Sequence, residues 1–127
     1  MKIAHLVVVC AAVLAGCASQ TSRNEATTAA TRFLDAVSRS DTTAACTLLT
    51  PRTRDELVTS EGQPCTQALP TDRLNGTVGT TDTWSDQAMV DTGGGSLFLT
   101  EFDAGWLVSA AGCEPDQDAP YHCVLGG

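Results

Sequence analysis

Residues 3–14 set how much of this chain is left to fold into a domain. They are apolar at every position except His5, and they follow a start whose only charge is on Lys2. A run of this length is too short to cross a bilayer as a helix, which takes about 17–25 residues. A short basic start and such a run are typical of a secretory signal peptide. The sequence therefore predicts that residues 1–16 are removed on export and that 111 residues remain.

The predicted signal ends in Leu14-Ala15-Gly16-Cys17. Ala15 and Gly16 are the small residues that a signal peptidase needs beside its cut. Apolar run, small residues and cysteine together resemble the lipobox of bacterial lipoproteins. The resemblance implies a diacylglyceryl group on Cys17, cleavage between Gly16 and Cys17, and a location on the extracytoplasmic face of the cell membrane. Two other interpretations stay open: plain secretion with Cys17 as a chance thiol, and a cytosolic protein with a buried apolar N-terminal helix.

The remaining chain is strongly acidic. Without Lys2 it has six arginines and fifteen carboxylates, a net charge of −9. Nucleic acids and anionic lipid surfaces repel such an acidic protein. We therefore expect no nucleic-acid partner, and we expect the acyl chains alone to hold the protein to the membrane. Two acyl chains give stable attachment. Residues 17–24 are polar after the cysteine and predict a flexible tether, followed by a single domain over residues 25–127.

Four cysteines remain after Cys10 leaves with the signal and Cys17 is lipidated: Cys46, Cys65, Cys113 and Cys123. An even count in a small exported domain indicates two disulfides. Of the three possible pairings we expect Cys46–Cys65 and Cys113–Cys123, because each pair flanks one compact segment. A zinc site is the alternative, but the spacing lacks a C-x-x-C motif and His122 is the one histidine of the mature chain, so we expect no metal.

The first half of the domain has helical periodicity. Ser22 to Glu25 has the form of a capping box, and the residues after it place an apolar stripe on one helix face over residues 24–39. Asp41 is the predicted cap of a second helix. Thr50-Pro51 starts a third, which runs to about Thr59 and buries Leu57 and Val58. The stripe of the first helix consists of Ala26, Ala29, Ala30, Phe33, Leu34 and Val37.

From Gly76 onward the pattern changes to short strands separated by turns. We predict strands over residues 78–84, 87–91, 96–102 and 106–111. Helices followed by a meander of this kind indicate an α+β fold in which helices pack on a curved antiparallel sheet. The order of elements, with Phe33-Leu34 and Gly105-Trp106-Leu107-Val108, resembles the NTF2-like cone fold, and the C-terminal stretch to Cys123 is similar to actinobacterial lipoproteins of that type.

The resemblance implies a pocket inside the cone, and Phe33, Val37, Phe98, Phe102 and Trp106 are its candidate lining. The alternative is that Phe98 and Phe102 simply pack under Phe33, Leu34 and Val37 of the first helix. We identify no catalytic residues and no cofactor.

Three polar features of the sequence are candidate sites. Glu101 and Asp103 could form a carboxylate pair but fit a solvated strand end better. The three carboxylates of residues 114–118 could hold calcium weakly but fit an acidic loop better. We expect His122 on the surface rather than acting as a general base.

These observations favour a membrane-anchored, non-enzymatic module that binds a partner protein or a small apolar ligand. The alternative is an enzyme of the SnoaL-like type, which the resemblance suggests, acting on a small hydrophobic substrate with Glu101 or Asp103 as base. A third possibility is a structural envelope protein without a specific ligand.

The lipid anchor has a direct test. Intact-mass analysis of the protein from the membrane fraction should find a chain that begins at Cys17 and carries added acyl mass. A chain that begins elsewhere, without acyl mass, would contradict the prediction.

Overall fold

The computed structural model describes the backbone of residues 12–127 and the side chains of residues 19–127. Within these residues four helices come first and a five-stranded sheet follows, so the α+β class is confirmed. A 3₁₀ turn at Thr71–Arg73 joins the two halves. The helices are α1 (Ala12–Ser38), α2 (Thr42–Thr47), α3 (Pro51–Glu61) and α4 (Cys65–Ala68). The strands are β1 (Thr81–Trp84), β2 (Gln87–Asp91), β3 (Ser96–Phe102), β4 (Gly105–Pro115) and β5 (Tyr121–Gly126).

Helix α1 buries the stripe that its periodicity predicts. Phe33 is fully buried and Val37 nearly so, and Ala29 packs against the same core from a partly buried position. The helix begins earlier than the capping box predicted: α1 runs through Ser22 and through residues 17–24, the segment predicted to be a flexible tether. How that tether behaves at a membrane stays a prediction. Residues 1–11 and the side chain of Cys17 lie outside the described residues, as does most of the predicted signal peptide.

Caps explain why α2 and α3 begin where they do. The Asp41 carboxylate accepts the Ala44 N–H at 3.1 Å, and the Thr50 hydroxyl accepts the Thr53 N–H at 3.1 Å. Pro51 takes the first position of α3, where its missing N–H costs nothing. Gly62 ends α3 in the left-handed conformation, at φ 65°. Leu57 is buried as predicted, but Val58 is 37 % exposed, so that part of the prediction is wrong.

The sheet is an antiparallel meander in the order β1-β2-β3-β4-β5. The four predicted strands are present, and β5, which was not predicted, pairs with the far half of β4. The pairing of β3 with β4 shifts by one residue at Ser109, whose hydroxyl donates to the Phe98 carbonyl at 3.1 Å. A bulge of this kind bends the strand and strengthens its twist.

The core lies between α1 and one face of the sheet. α1 packs across β1 to β4, and its stripe meets Val90, Leu97, Leu99 and Val108, which are essentially inaccessible to solvent. Trp106 joins this cluster, and among the described residues its indole N–H is a buried side-chain donor without a partner. None of the helices in the described part of the chain combines the length and apolar character that a membrane span requires.

Both predicted disulfides are present. Cys46–Cys65 ties α2 to the start of α4, with 6.1 Å between the Cα atoms. Cys113–Cys123 joins two residues that face each other across β4 and β5. Each bridge therefore closes a short segment within one half of the domain.

Replacing Cys46 and Cys65 together by alanine should lower the free energy of unfolding by about 3 kcal/mol, because the bridge closes a loop of 19 residues. Urea unfolding of the full chain, followed by circular dichroism, measures the change. Gly94→Ala is a suitable reference variant, since nothing lies within 4 Å of a Cβ placed there. A loss no larger than that of the reference would contradict a stabilising role for the bridge.

Candidate functional site

In the part of the chain that the structure describes, α1 packs on one face of the sheet, while large side chains remain exposed on the opposite face. We call this opposite face the open face. The strand register places matching side chains of adjacent strands on this face: Trp84 beside Gln87, and Met89 beside Phe98. Trp84 is 49 % exposed and Phe102 is 43 % exposed. Exposed aromatic side chains gathered on one face are typical of a binding surface.

A groove of about 750 Å³ runs along the open face beside α3, and we call it the outer groove. Its volume lies in the range of small-molecule sites, about 300–1,000 Å³. The floor comes from β2 to β4 and consists of Gln87, Phe98, Thr100, Phe102, Ser109 and Ala110.

One wall of the outer groove is the first turn of α3, which a chain of hydroxyl groups fixes to β4. The Thr50 hydroxyl donates to the Thr53 hydroxyl at 2.8 Å, and the Thr53 hydroxyl donates to the Ser109 carbonyl at 2.8 Å. Both threonines are buried. These donors are satisfied within the chain, so they hold the wall in place and are not free for a ligand.

The opposite wall is the β4–β5 hairpin, where Pro120 and Tyr121 close the groove. The Tyr121 ring meets Phe98 edge to face, with 4.9 Å between the ring centroids. Its hydroxyl donates to the sulfur of Met89 at 3.6 Å. The edge-to-face arrangement is favourable for a ring pair, and the thioether sulfur is a weak hydrogen-bond acceptor. Tyr121 thus packs against the floor of the groove and makes this wall aromatic as well.

A charged pair marks the rim. Arg52 Nε donates to Glu56 Oε1 at 2.8 Å, one turn further along α3. This hydrogen bond, with the charge of Glu56, raises the pKa of the Arg52 guanidinium. Both side chains are exposed, so the pair adds little to stability. The groove therefore offers a ligand an aromatic floor, an aromatic side and a polar rim.

The structure divides the five predicted pocket residues between the two faces of the sheet. Phe33, Val37 and Trp106 belong to the core. Phe98 and Phe102 line the outer groove on the opposite face. The alternative prediction, that these two phenylalanines pack under α1, is wrong, since Leu97 and Leu99 hold those positions.

The other candidates lie away from the outer groove. Glu101 pairs with Trp106 and belongs to the face opposite Phe98, while Asp103 lies in the turn after β3. His122 is exposed and faces Glu114 across the strands. Within the part of the chain that the structure describes, no three His, Cys, Asp or Glu residues come together as a possible metal site.

Sequence reasoning missed Tyr121 and Arg52 as groove residues. Tyr121 opens β5, whose run of Tyr, Cys, Val and Leu has strand character that went unused. Arg52 is placed by the docking of α3 on β4, which depends on contacts between residues 56 apart in the sequence. The periodicity of α3 alone does not indicate that contact.

In comparisons with known proteins, no protein-family model, no curated protein and no solved structure matches this chain.

Thr53→Val should destabilise the protein by about 1–3 kcal/mol, because the Ser109 carbonyl loses the hydroxyl that donates to it and the Thr50 hydroxyl loses its acceptor. Thr59→Val makes the same change at an exposed position of α3 and should cost far less. Urea midpoints of the two variants measure the difference. Equal midpoints would mean that the hydroxyl chain does not hold the groove wall.

Proposed function

We propose that this chain is a lipid-anchored binding protein of the extracytoplasmic membrane face, and that its outer groove takes up an apolar group of a ligand or partner. The observation that carries the proposal is the set of aromatic side chains on the open face. Phe102 and Tyr121 line the groove and remain 43 % and 37 % exposed. Covering such side chains gains about 25 cal/mol for each Å² of apolar surface removed from water.

The build of the groove supports binding rather than simple packing. Its wall and floor are held by internal hydrogen bonds, from Thr53 to Ser109 and from Ser109 to Phe98. A ligand therefore meets a surface that is already ordered, and binding costs less conformational entropy. The rim pair Arg52–Glu56 adds charges that could orient a polar end of the ligand.

The membrane location rests on the sequence around Cys17. Helix α1 passes through this residue before it enters the core at Ala26. As a helix, the intervening segment would span about 14 Å, at 1.5 Å per residue. Such a stalk would hold the domain clear of the lipid surface and leave the open face accessible from the surrounding medium.

We also propose that the domain is a variant of the NTF2-like fold. In its support, helices precede an antiparallel meander, the long first helix crosses the sheet, and a bulge bends β4. The binding proposal does not depend on this relationship, because it rests on the groove itself.

A neutral aromatic probe bearing a diazirine tests the binding proposal on the full lipidated chain in phosphatidylcholine nanodiscs. After irradiation, peptide mapping should find the label on β3 and on the β4–β5 hairpin, near Phe102 and Tyr121. Phe102→Ser should reduce this labelling severalfold, because it removes an exposed part of the aromatic floor.

Val58→Ser is the matched control, since Val58 is exposed to a similar degree but does not line the groove. It should leave the labelling pattern unchanged. Label spread evenly over exposed apolar side chains, Val58 included, would show that the groove has no preference for apolar groups and would refute the proposal.

A further inference from the structure

The two halves of the domain differ sharply in charge. All six arginines of residues 17–127 precede residue 74, and seven carboxylates accompany them. Residues 74–127 hold the other eight carboxylates and no lysine or arginine. The helical half is thus close to neutral, and nearly all of the net charge of −9 belongs to the sheet half.

Six of the eight acidic residues of the sheet half lie on the open face or in the turns at the ends of the sheet. Asp82 and Asp91 lie on the strands, at the alternating positions that share a face with Trp84 and Met89, and both are exposed. Asp86 and Asp103 lie in the two turns at one end of the sheet, also exposed. Arg52 adds little opposing charge, since Glu56 neutralises it.

A second group of carboxylates lies at the other end of the sheet. Asp116 and Asp118 are exposed in the turn between β4 and β5, next to Tyr121. The seven residues of β3 span about 20 Å at 3.3 Å per residue. The acidic positions therefore extend over a greater length than a small molecule reaches, with the aromatic side chains between them.

From this arrangement we infer that the open face binds a basic polypeptide segment of a partner protein, with an apolar or aromatic middle and lysine or arginine on both sides. The inference rests on the proposed binding function and adds the chemistry of the partner. The apolar middle covers Phe98 and Phe102, and the basic residues meet the carboxylates at both ends. Cations also bind favourably over the faces of Trp and Tyr rings, here Trp84 and Tyr121.

Charge argues against two other occupants. A second copy of this chain would bring two acidic sheets together, and like charges across an interface oppose association. An anionic membrane surface would be repelled in the same way. A basic segment, in contrast, is attracted at long range, which speeds encounter and makes binding depend on salt.

Three synthetic peptides test the inference. They share a four-residue apolar middle containing one tryptophan and are flanked on each side by two lysines, two glutamines or two glutamates. Binding to the lipidated full chain in phosphatidylcholine nanodiscs is measured by fluorescence anisotropy, with empty nanodiscs subtracted. At low salt the lysine peptide should bind about tenfold more tightly than the glutamine peptide, and the glutamate peptide more weakly than both. High salt should remove most of the difference.

Two triple variants of equal net charge locate the effect. Asp82→Asn with Asp86→Asn and Asp103→Asn removes three charges from the sheet half and should abolish most of the lysine advantage. Glu25→Gln with Asp35→Asn and Glu61→Gln removes three exposed charges from the helical half and should leave it intact. An equal loss in both triples would overturn the inference, because net charge rather than the open face would then control binding.

The remaining outcomes separate this inference from the function on which it rests. Should the glutamine peptide bind as tightly as the lysine peptide while Phe102→Ser weakens both, the groove binds apolar groups but the basic partner is refuted. Should no peptide bind while the neutral probe still labels the groove, the occupant is not a polypeptide and the inference fails alone. Absence of both peptide binding and groove labelling overturns both proposals.

Discussion

The backbone of β4 at Val108 connects the helical half of this domain to its sheet. On one side Val108 pairs with Leu99 of β3. On the other side its N–H donates to the Leu48 carbonyl at 2.8 Å, and its carbonyl accepts the Thr50 N–H at 2.9 Å. Because β5 pairs only from Ala110 onward, this stretch of β4 would otherwise be an exposed edge. The connection between α2 and α3 covers it, and in doing so places α3 beside the open face.

The elements that could be predicted from the sequence are those whose signals are local. The stripe of α1, the Thr50-Pro51 start of α3, four strands and both disulfides all depend on residues near one another in the chain. β5 was missed although its partner cysteine had been paired correctly. The disulfide between Cys113 and Cys123 fits two strands facing each other, as the structure has them, but it fits an acidic loop equally well.

The candidate site was predicted less well, and alternation along β3 explains why. Leu97 and Leu99 alternate with Phe98 and Phe102, so both faces of the strand are apolar. Period-two alternation separates the faces but does not say which one meets a helix. The larger phenylalanines suggested the core, yet the short leucines fit beneath α1 where Phe33 already fills the space. Only the packing of the whole domain decides between the two.

The meander has a further consequence for how this chain reaches its folded state. Each strand pairs with the strand that precedes it, and neither disulfide closes a loop longer than 19 residues. Within the sheet, contacts between near neighbours in sequence favour rapid pairing of the strands. A chain that emerges N-terminus first could therefore pair the strands of its sheet in the order in which they appear. The last segment would be needed only to complete the β4–β5 hairpin, which bears Tyr121.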